Sequence, residues 1–322
     1  MGDGMPYMKF GMELLNDISE NILKGDLRYS DTIIVGDNSS GKSLLLRLLL
    51  DKMGEIDEVY FIDAVNRGFD VSKVIEENQK LSYNKAIVKT RIQENYFNLE
   101  DSFNCYGTLT ERIEQIYYLF EDELQELFCE LTGERFKIAG NGILGEVDFE
   151  NGRGTLSSGY QAIVRIFLEL LYYQKKCIVD KQLSRATVII DELDEFLSPG
   201  YARKIFPFLK KKFCQMDFVI TTHSCDVVVA SQNANLVILE NSEVEVVDVN
   251  DYQSISEVQM IFDRIFGEYL VPTSETERIL RRLFNNRINN VWSNYDQMQM
   301  EELQTQSLTA SQQLILKQIL EW

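Results

Sequence analysis

A chain of 322 residues with 45% hydrophobic and 26% charged residues has the balance of an ordinary globular protein, long enough for one large core or two modest ones. Its net charge of −19 repels a DNA backbone, which excludes broad non-specific nucleic-acid binding unless a local basic patch or a partner supplies it. Five cysteines with no CxxC pair and a single histidine leave no zinc site, and every apolar stretch falls short of a membrane span. The opening MGDGMPYMKF shows no basic region followed by an apolar segment, so no signal peptide is read and a cytoplasmic location is expected.

The first informative segment is DTIIVGDNSSGKSLLLRLLLDKM, residues 31–53. Thr32–Val35 reads as a short β-branched strand and Leu44–Leu50 as an apolar helix. Between them Gly36, Asp37, Asn38, Ser39, Ser40, Gly41, Lys42 and Ser43 match GxxxxGK[ST] in full. Phosphate is a dense, multiply charged group and needs many donors at close range. The two glycines let the backbone curl its N–H groups inward, and the start of the helix adds a partial positive charge. Lys42 is then placed for the β- and γ-phosphates, and the Ser43 hydroxyl for Mg²⁺. The segment therefore predicts a nucleotide site with Mg²⁺.

Further along, VYFIDAVNRGF (59–69) reads as a third core strand. Residues 108–133 carry apolar side chains at 113, 116, 117, 120, 124, 127, 128 and 131, a helical spacing, with Thr108…Glu111 as capping box and Gly133 as stop. Glu114, Glu121, Asp122, Glu126 and Glu130 form its acidic, solvated face. Leu156-Ser157-Ser158-Gly159-Tyr160-Gln161 then runs into an amphipathic helix, and small hydroxyl residues at a helix start make a ready anion site. Val188–Ile190 is a buried strand ending in Asp191-Glu192. An acid there can position Mg²⁺, and Glu192 is placed to polarise an attacking water. Residues 217–222 form another strand, ending at His223, the one histidine of the chain. The basic runs 209–213 and 278–287 read as solvated helix faces.

These segments, in this order, carry a family resemblance. LSSGYQ is similar to the LSGGQ signature of ATP-binding-cassette (ABC) ATPases, and IIDELDEFLSP followed by DFVITTHS resembles the DEIDxHLHP…QFIVTTHSP pattern of the soluble RecF–SMC–OLD-like group. Phe196 and Ser198 replace two histidines of that pattern, and Cys225 replaces its proline. The resemblance implies an α/β fold of the P-loop NTPase, ABC-ATPase type, with a mixed sheet core, a helical insertion and a helical C-terminal tail. The resemblance spans about residues 30–250, and the expected organisation is an ATPase domain over 1–250, with 66–155 an inserted, largely helical arm, and a tail over 251–322. It also implies that His223 contacts the γ-phosphate, and that Ser157, Ser158 and Gly159 of a second copy close over the phosphate held at Gly36–Ser43. A homodimer or higher oligomer with head-to-tail ATP sites follows. A glutamine-loop equivalent is left open among Asn66, Arg67, Gln79 and Gln93.

Many ATPases of this group act in bacterial antiphage defence or repair. The resemblance thus implies control of a separate effector, a nuclease or toxin, with nucleic acid reached through a partner and no membrane. The alternatives are a chromosome-associated or DNA-repair ATPase, or a transporter's energy subunit. Beyond a strand pair at Leu236–Leu239 and Val244–Val249, a helix capped by Ser274…Glu277 and a last helix at 308–322 form the tail. With one histidine already assigned, a histidine-dependent nuclease or triad on this chain is excluded, so any destructive activity belongs to another chain.

Overall fold

The computed structural model describes residues 12–53, 59–74, 113–140, 144–179, 182–240, 243–252, 254–265, 292–305, 308 and 310–321, together with 276, 279, 280, 283 and 287. The chain divides into two compact units, Met1–Phe266 and Gly267–Trp322.

In chain order the first unit comprises helix α1 (Met12–Lys24), strand β1 (Thr32–Gly36), helix α2 (Lys42–Met53), strand β2 (Val59–Ile62) and helix α3 (Glu121–Thr132). Three short strands follow, β3 (Phe136–Ile138), β4 (Val147–Phe149) and β5 (Gly152–Gly154), then helix α4 (Ser158–Tyr173) and strand β6 (Ala186–Ile190). Helix α5 (Pro199–Lys212), strand β7 (Met216–Thr221), helix α6 (Cys225–Ala230), strands β8 (Asn235–Glu240) and β9 (Glu243–Asp248), and helix α7 (Ile255–Ile265) complete it.

The six-stranded sheet has the order β2-β6-β7-β1-β8-β9. Its first five strands pair in parallel, and β9 closes the edge as an antiparallel hairpin partner of β8, with Leu236 opposite Val247 and Leu239 opposite Val244. Both faces of the parallel part are covered, which is why these strands read as unbroken apolar runs. Alternation still sorts the side chains. Ile33, Val35, Val188 and Ile190 join the larger core with α4 and α5, whereas Ile34 and Ile189 point to the opposite layer with Leu45, Leu46 and Leu49 of α2 and Leu15 and Ile18 of α1. Strand β1 sits between β7 and β8, yet the chain leaves it through α2 for β2 at the far edge. Such a reversal favours a site at the carboxyl ends of the strands, on the side of the loops after β1, β6 and β7.

The helix expected over 108–133 is broken. Residues 108–112 lie outside the described residues. The remainder is a 3-10 stretch, Ile113–Leu119, and then α3, which ends at Gly133 in the left-handed conformation (φ 82°) with its N–H on the Cys129 carbonyl. The break changes one part of the expected solvated acidic face. Residues 113–117 of the 3-10 stretch are all buried, and Glu114, 7% exposed, accepts the backbone N–H of Asp70 at 3.0 Å. Glu121, Asp122, Glu126 and Glu130, on the α-helical part, are not buried. The antiparallel sheet β3-β4-β5 had no counterpart in the sequence reading, because three residues per strand are too few to show alternation. Helix α4, expected to be amphipathic, is buried from Ala162 to Tyr173. Its charged pair is taken inside, Arg165 Nε lying 2.5 Å from Glu169 Oε1, with the Tyr60 hydroxyl donating to Glu169 Oε2 at 2.9 Å. The basic run at 209–213 is partly tied down, Lys210 pairing with Asp31 at 2.7 Å and Lys212 with Glu130.

Helix α7 starts at a capping box, Ser254 and Glu257 bonding each other's backbone N–H, and sends Val258, Ile261, Phe262 and Ile265 into the larger core. In the second unit helices α8 (Asn294–Thr305) and α9 (Ala310–Glu321) contribute Met300, Leu303, Leu316 and Ile319 to a small cluster with Leu280 and Leu283. The expected cap at Ser274…Glu277 lies outside the described residues. Among the described residues no helix is long and apolar enough to cross a membrane.

Candidate functional site

The loop after β1 is shaped by close backbone contact. A Cβ on Gly36 would lie 2.3 Å from Ser40 Oγ and 2.8 Å from the Leu239 carbonyl, so only glycine fits there. Ser39 (φ 65°) and Gly41 (φ 98°) adopt left-handed conformations, and the Ser40 N–H returns to the Asp37 carbonyl at 3.0 Å. Asp37 Oδ1 accepts the Asn38 N–H at 2.6 Å, and the exposed Asn38 and Ser39 form the tip. Lys42 is 7% exposed and folds over the loop, donating to the carbonyls of Gly36 (2.8 Å) and Asp37 (3.1 Å). Burial pulls its ammonium below the usual lysine range, opposed by Asp191 and Glu192. Ser43 is half-buried in the first turn of α2. Ser40 Oγ is buried without a hydrogen-bond partner.

Strand β6 delivers Asp191, 1% exposed, and Glu192, half-buried with φ 50°. Strand β7 delivers Thr221, Thr222 and His223 to the neighbouring turn. One hydroxyl joins the two. Thr221 Oγ1 donates to Asp191 Oδ1 at 2.6 Å and accepts the Glu192 N–H at 2.7 Å. A second joint is Asp194, whose Oδ1 accepts both the Thr222 hydroxyl (2.5 Å) and the His223 N–H (3.3 Å). These fix His223 so that its Nε2 lies 3.6 Å from Glu192 Oε1. His223 holds the Glu192 carboxyl below the usual carboxylate range, while burial pushes Asp191 up against the Thr221 hydrogen bond. Asp191 Oδ2 remains buried without a hydrogen-bond partner.

The signature segment opens α4. Ser157 caps that helix, its hydroxyl accepting the Tyr160 N–H at 3.2 Å, and both Ser157 and Ser158 are exposed. Gly159 packs against the turn after β6, where a Cβ would sit 3.0 Å from the Phe196 carbonyl. Phe196 itself is 50% exposed in a left-handed conformation (φ 66°). Lys42, Asp191, Glu192 and His223 thus gather at the carboxyl end of the sheet, with Gly159 packed against the turn after β6 from α4.

No protein-family profile matches the chain. A 56-residue stretch, 17% of this chain, is 38% identical to the Retron Ec83 probable ATPase of Escherichia coli, and spans about a tenth (10%) of that protein. Among solved structures, similarity is found to the SMC head domain from Thermotoga maritima (18% identity, 42% of this chain and 50% of that one, TM-score 0.30). It is also found to a dimeric ATP-binding cassette in a post-hydrolysis state bound to ADP and Pi (16% identity, 68% and 85%, TM-score 0.35). The fold is read from the sheet order and from where the motifs stand on it. The chain has a P-loop α/β fold built on a parallel-dominated six-stranded sheet.

Three residues of this candidate site were missed or left without a role in the sequence. Thr221 and Asp194 lock the turns together, and the signal for Thr221 was a hydroxyl at the buried end of an apolar strand. The third, Arg67, is 1% exposed and donates from Nη2 to the Asp191 carbonyl at 2.7 Å, its Nε and Nη1 having no hydrogen-bond partner. Gln79 and Gln93, the other glutamine-loop candidates, lie outside the described residues. Beside Arg67 a cavity of about 360 Å³ lies between Asn66, Phe69, Glu114, Gln161 and Arg165, and no residue of the phosphate loop lines it.

Proposed function

We propose that the chain is an ATPase that binds ATP with Mg²⁺ at Gly36–Ser43, dimerises head-to-tail on ATP, and so controls a separate effector chain, a nuclease or toxin, in antiphage defence. The carrying observation is the meeting of Lys42, Asp191, Glu192 and His223 at the carboxyl ends of β1, β6 and β7. The loop N–H groups and Lys42 bind the triphosphate. Lys42 needs only to turn from the Gly36 and Asp37 carbonyls, which are weaker partners than a phosphate.

The residues present fit Mg²⁺. Asp191 offers a buried, unpartnered carboxylate oxygen and Ser43 a hydroxyl. Mg²⁺ bound by one carboxylate, a hydroxyl and substrate phosphates matches that sparse set, and when bound it neutralises charge on the β- and γ-oxygens. Glu192, kept ionised beside His223, accepts the proton of the attacking water. His223 hydrogen-bonds a γ-phosphate oxygen.

The exposed Ser157 and Ser158 with Gly159 reach the γ-phosphate on a second copy, each site being completed in trans. The effector role rests on the resemblance of 186–199 and 217–224 to the OLD-like group, and the local match to a retron's probable ATPase is in keeping with an ATPase. Cytoplasmic location and access to nucleic acid through a partner belong to the same reading. The test is a pull-down of tagged Glu192→Gln chain from its own host with ATP. A co-purifying nuclease or toxin supports the reading. A membrane permease, or DNA held directly by the chain, overturns the effector role.

A further inference from the structure

Strand β2 leaves the sheet after Ile62, whose carbonyl takes the Asp191 N–H at 3.0 Å. At the end of the strand the chain winds at once. Asp63 Oδ1 accepts the N–H groups of Val65 (3.0 Å) and Asn66 (2.7 Å) and the Asn66 amide (3.0 Å), and the Arg67 N–H returns to the Val65 carbonyl at 3.0 Å. This Asx-type turn carries Arg67 back into the protein. There its Nη2 meets the Asp191 carbonyl at 2.7 Å, so the Asp191 peptide is held at its N–H by Ile62 and at its carbonyl by Arg67.

A guanidinium is an expensive way to fill that space. Arg67 is 1% exposed and two of its nitrogens lack hydrogen-bond partners, a cost an apolar side chain of similar size would avoid. The acids around it are Asp63, Glu169, Asp191, Glu192 and Glu195, and Arg165 is the nearby cation. The peptide it grips lies at the start of the turn that presents the orphaned Asp191 Oδ2 and bends at Glu192 through a left-handed conformation.

We propose that Arg67 is a positioning residue of the phosphate site, holding the Asp191–Glu192 turn from behind so that both carboxylates keep their aim. This rests on the ATP·Mg²⁺ reading of Gly36–Ser43 and Asp191. Loss of the grip lets the turn relax, and a carboxylate displaced by an ångström costs turnover rather than adhesion of the nucleotide, which the loop itself holds.

The test compares the full-length wild type with Arg67→Met and Arg67→Lys. Steady-state ATP hydrolysis gives kcat and KM, and binding of a fluorescent ATP analogue is measured with Mg²⁺ and with EDTA, beside melting temperature. For Arg67→Met we expect kcat to fall by about 10–100-fold, the range for lost supporting contacts. The gain in nucleotide affinity that Mg²⁺ brings should shrink, with affinity in EDTA unchanged within about twofold, about 0.4 kcal/mol. Arg67→Lys, which keeps the charge and one donor, should fall between the two. Affinity in EDTA and melting temperature dropping together with kcat in both variants would show a merely structural residue and overturn the proposal. So would unchanged kcat with an unchanged Mg²⁺ effect. If Arg67→Met does not fold, Arg67→Lys decides by the same measurements. A wild type that binds nucleotide but never hydrolyses it removes the ATPase reading instead, and the Mg²⁺-against-EDTA comparison still judges Arg67.

Discussion

His223 Nε2 lies 3.6 Å from Glu192 Oε1, at the ends of adjacent strands β7 and β6. A carboxylate held ionised by a neighbouring imidazole is ready to take a proton, which is what an attacking water must lose. Glu192→Gln keeps the shape and removes the acceptor. Phosphate release at saturating ATP should slow by about 10²–10⁴-fold, in line with a lost general base. Nucleotide affinity should hold within a few fold, since Glu192 lies outside the loop at Gly36–Ser43 that is proposed to bind phosphate. Unchanged turnover would remove Glu192 from the reaction.

Lys42 carries a different kind of prediction. Its ammonium rests on the Gly36 and Asp37 carbonyls, so Lys42→Ala removes a strut of the loop as well as the proposed phosphate contact. Binding of a fluorescent ATP analogue should weaken by at least about tenfold, the equivalent of one lost charge-assisted contact of about 1.4 kcal/mol. Titration at fixed Mg²⁺ reads it directly, and wild-type affinity in this variant would place the nucleotide elsewhere.

Thr221 tests whether the Asp191–Glu192 turn needs its internal lock. Its hydroxyl is donor to Asp191 Oδ1 and acceptor of the Glu192 N–H at once. Thr221→Val conserves volume and strands both partners, which costs about 1–3 kcal/mol for a buried unpaired group. The expected outcome is a lower denaturant midpoint together with reduced kcat. A variant as stable and as active as the wild type would mean that the turn is held by its other contacts alone.

The candidate site was legible as local, contiguous patterns of the kind a phosphate site would impose: Gly36 to Ser43 sit in one loop, and Asp191-Glu192 and His223 each end an apolar strand. The parallel core was legible for the same reason, since β1, β6 and β7 are buried on both faces and show as apolar runs. What failed was set by tertiary context. Nothing near Arg67 in sequence announces that it will reach a carbonyl 124 residues away. Glu114 looked like part of a solvated stripe because periodicity assumes one continuous helix, and the break at Phe120 turns its segment inward. The strands β3 to β5 are shorter than the window in which alternation can be counted.

Gly159 separates binding from assembly. A Cβ there would lie 3.0 Å from the carbonyl of Phe196, a backbone atom on a left-handed residue that has little freedom to give way. Gly159→Ala therefore pushes the start of α4 and the turn after β6 apart, at a cost in the range of about 1–3 kcal/mol for overpacking. The exposed Ser157 and Ser158 shift with that helix start, while the loop at Gly36–Ser43 lies on a different strand and is left alone. In a Glu192→Gln background, which keeps ATP uncleaved, light scattering should show an ATP-dependent dimer for the parent chain. For Gly159→Ala the dimer should weaken by about tenfold or more, 1.4 kcal/mol corresponding to each factor of ten. ATP affinity of the single chain should stay within about threefold, because the change leaves the proposed binding groups, its own loop and Lys42, untouched. Equal dimerisation of both proteins would mean that the signature segment does not close the site of a second copy.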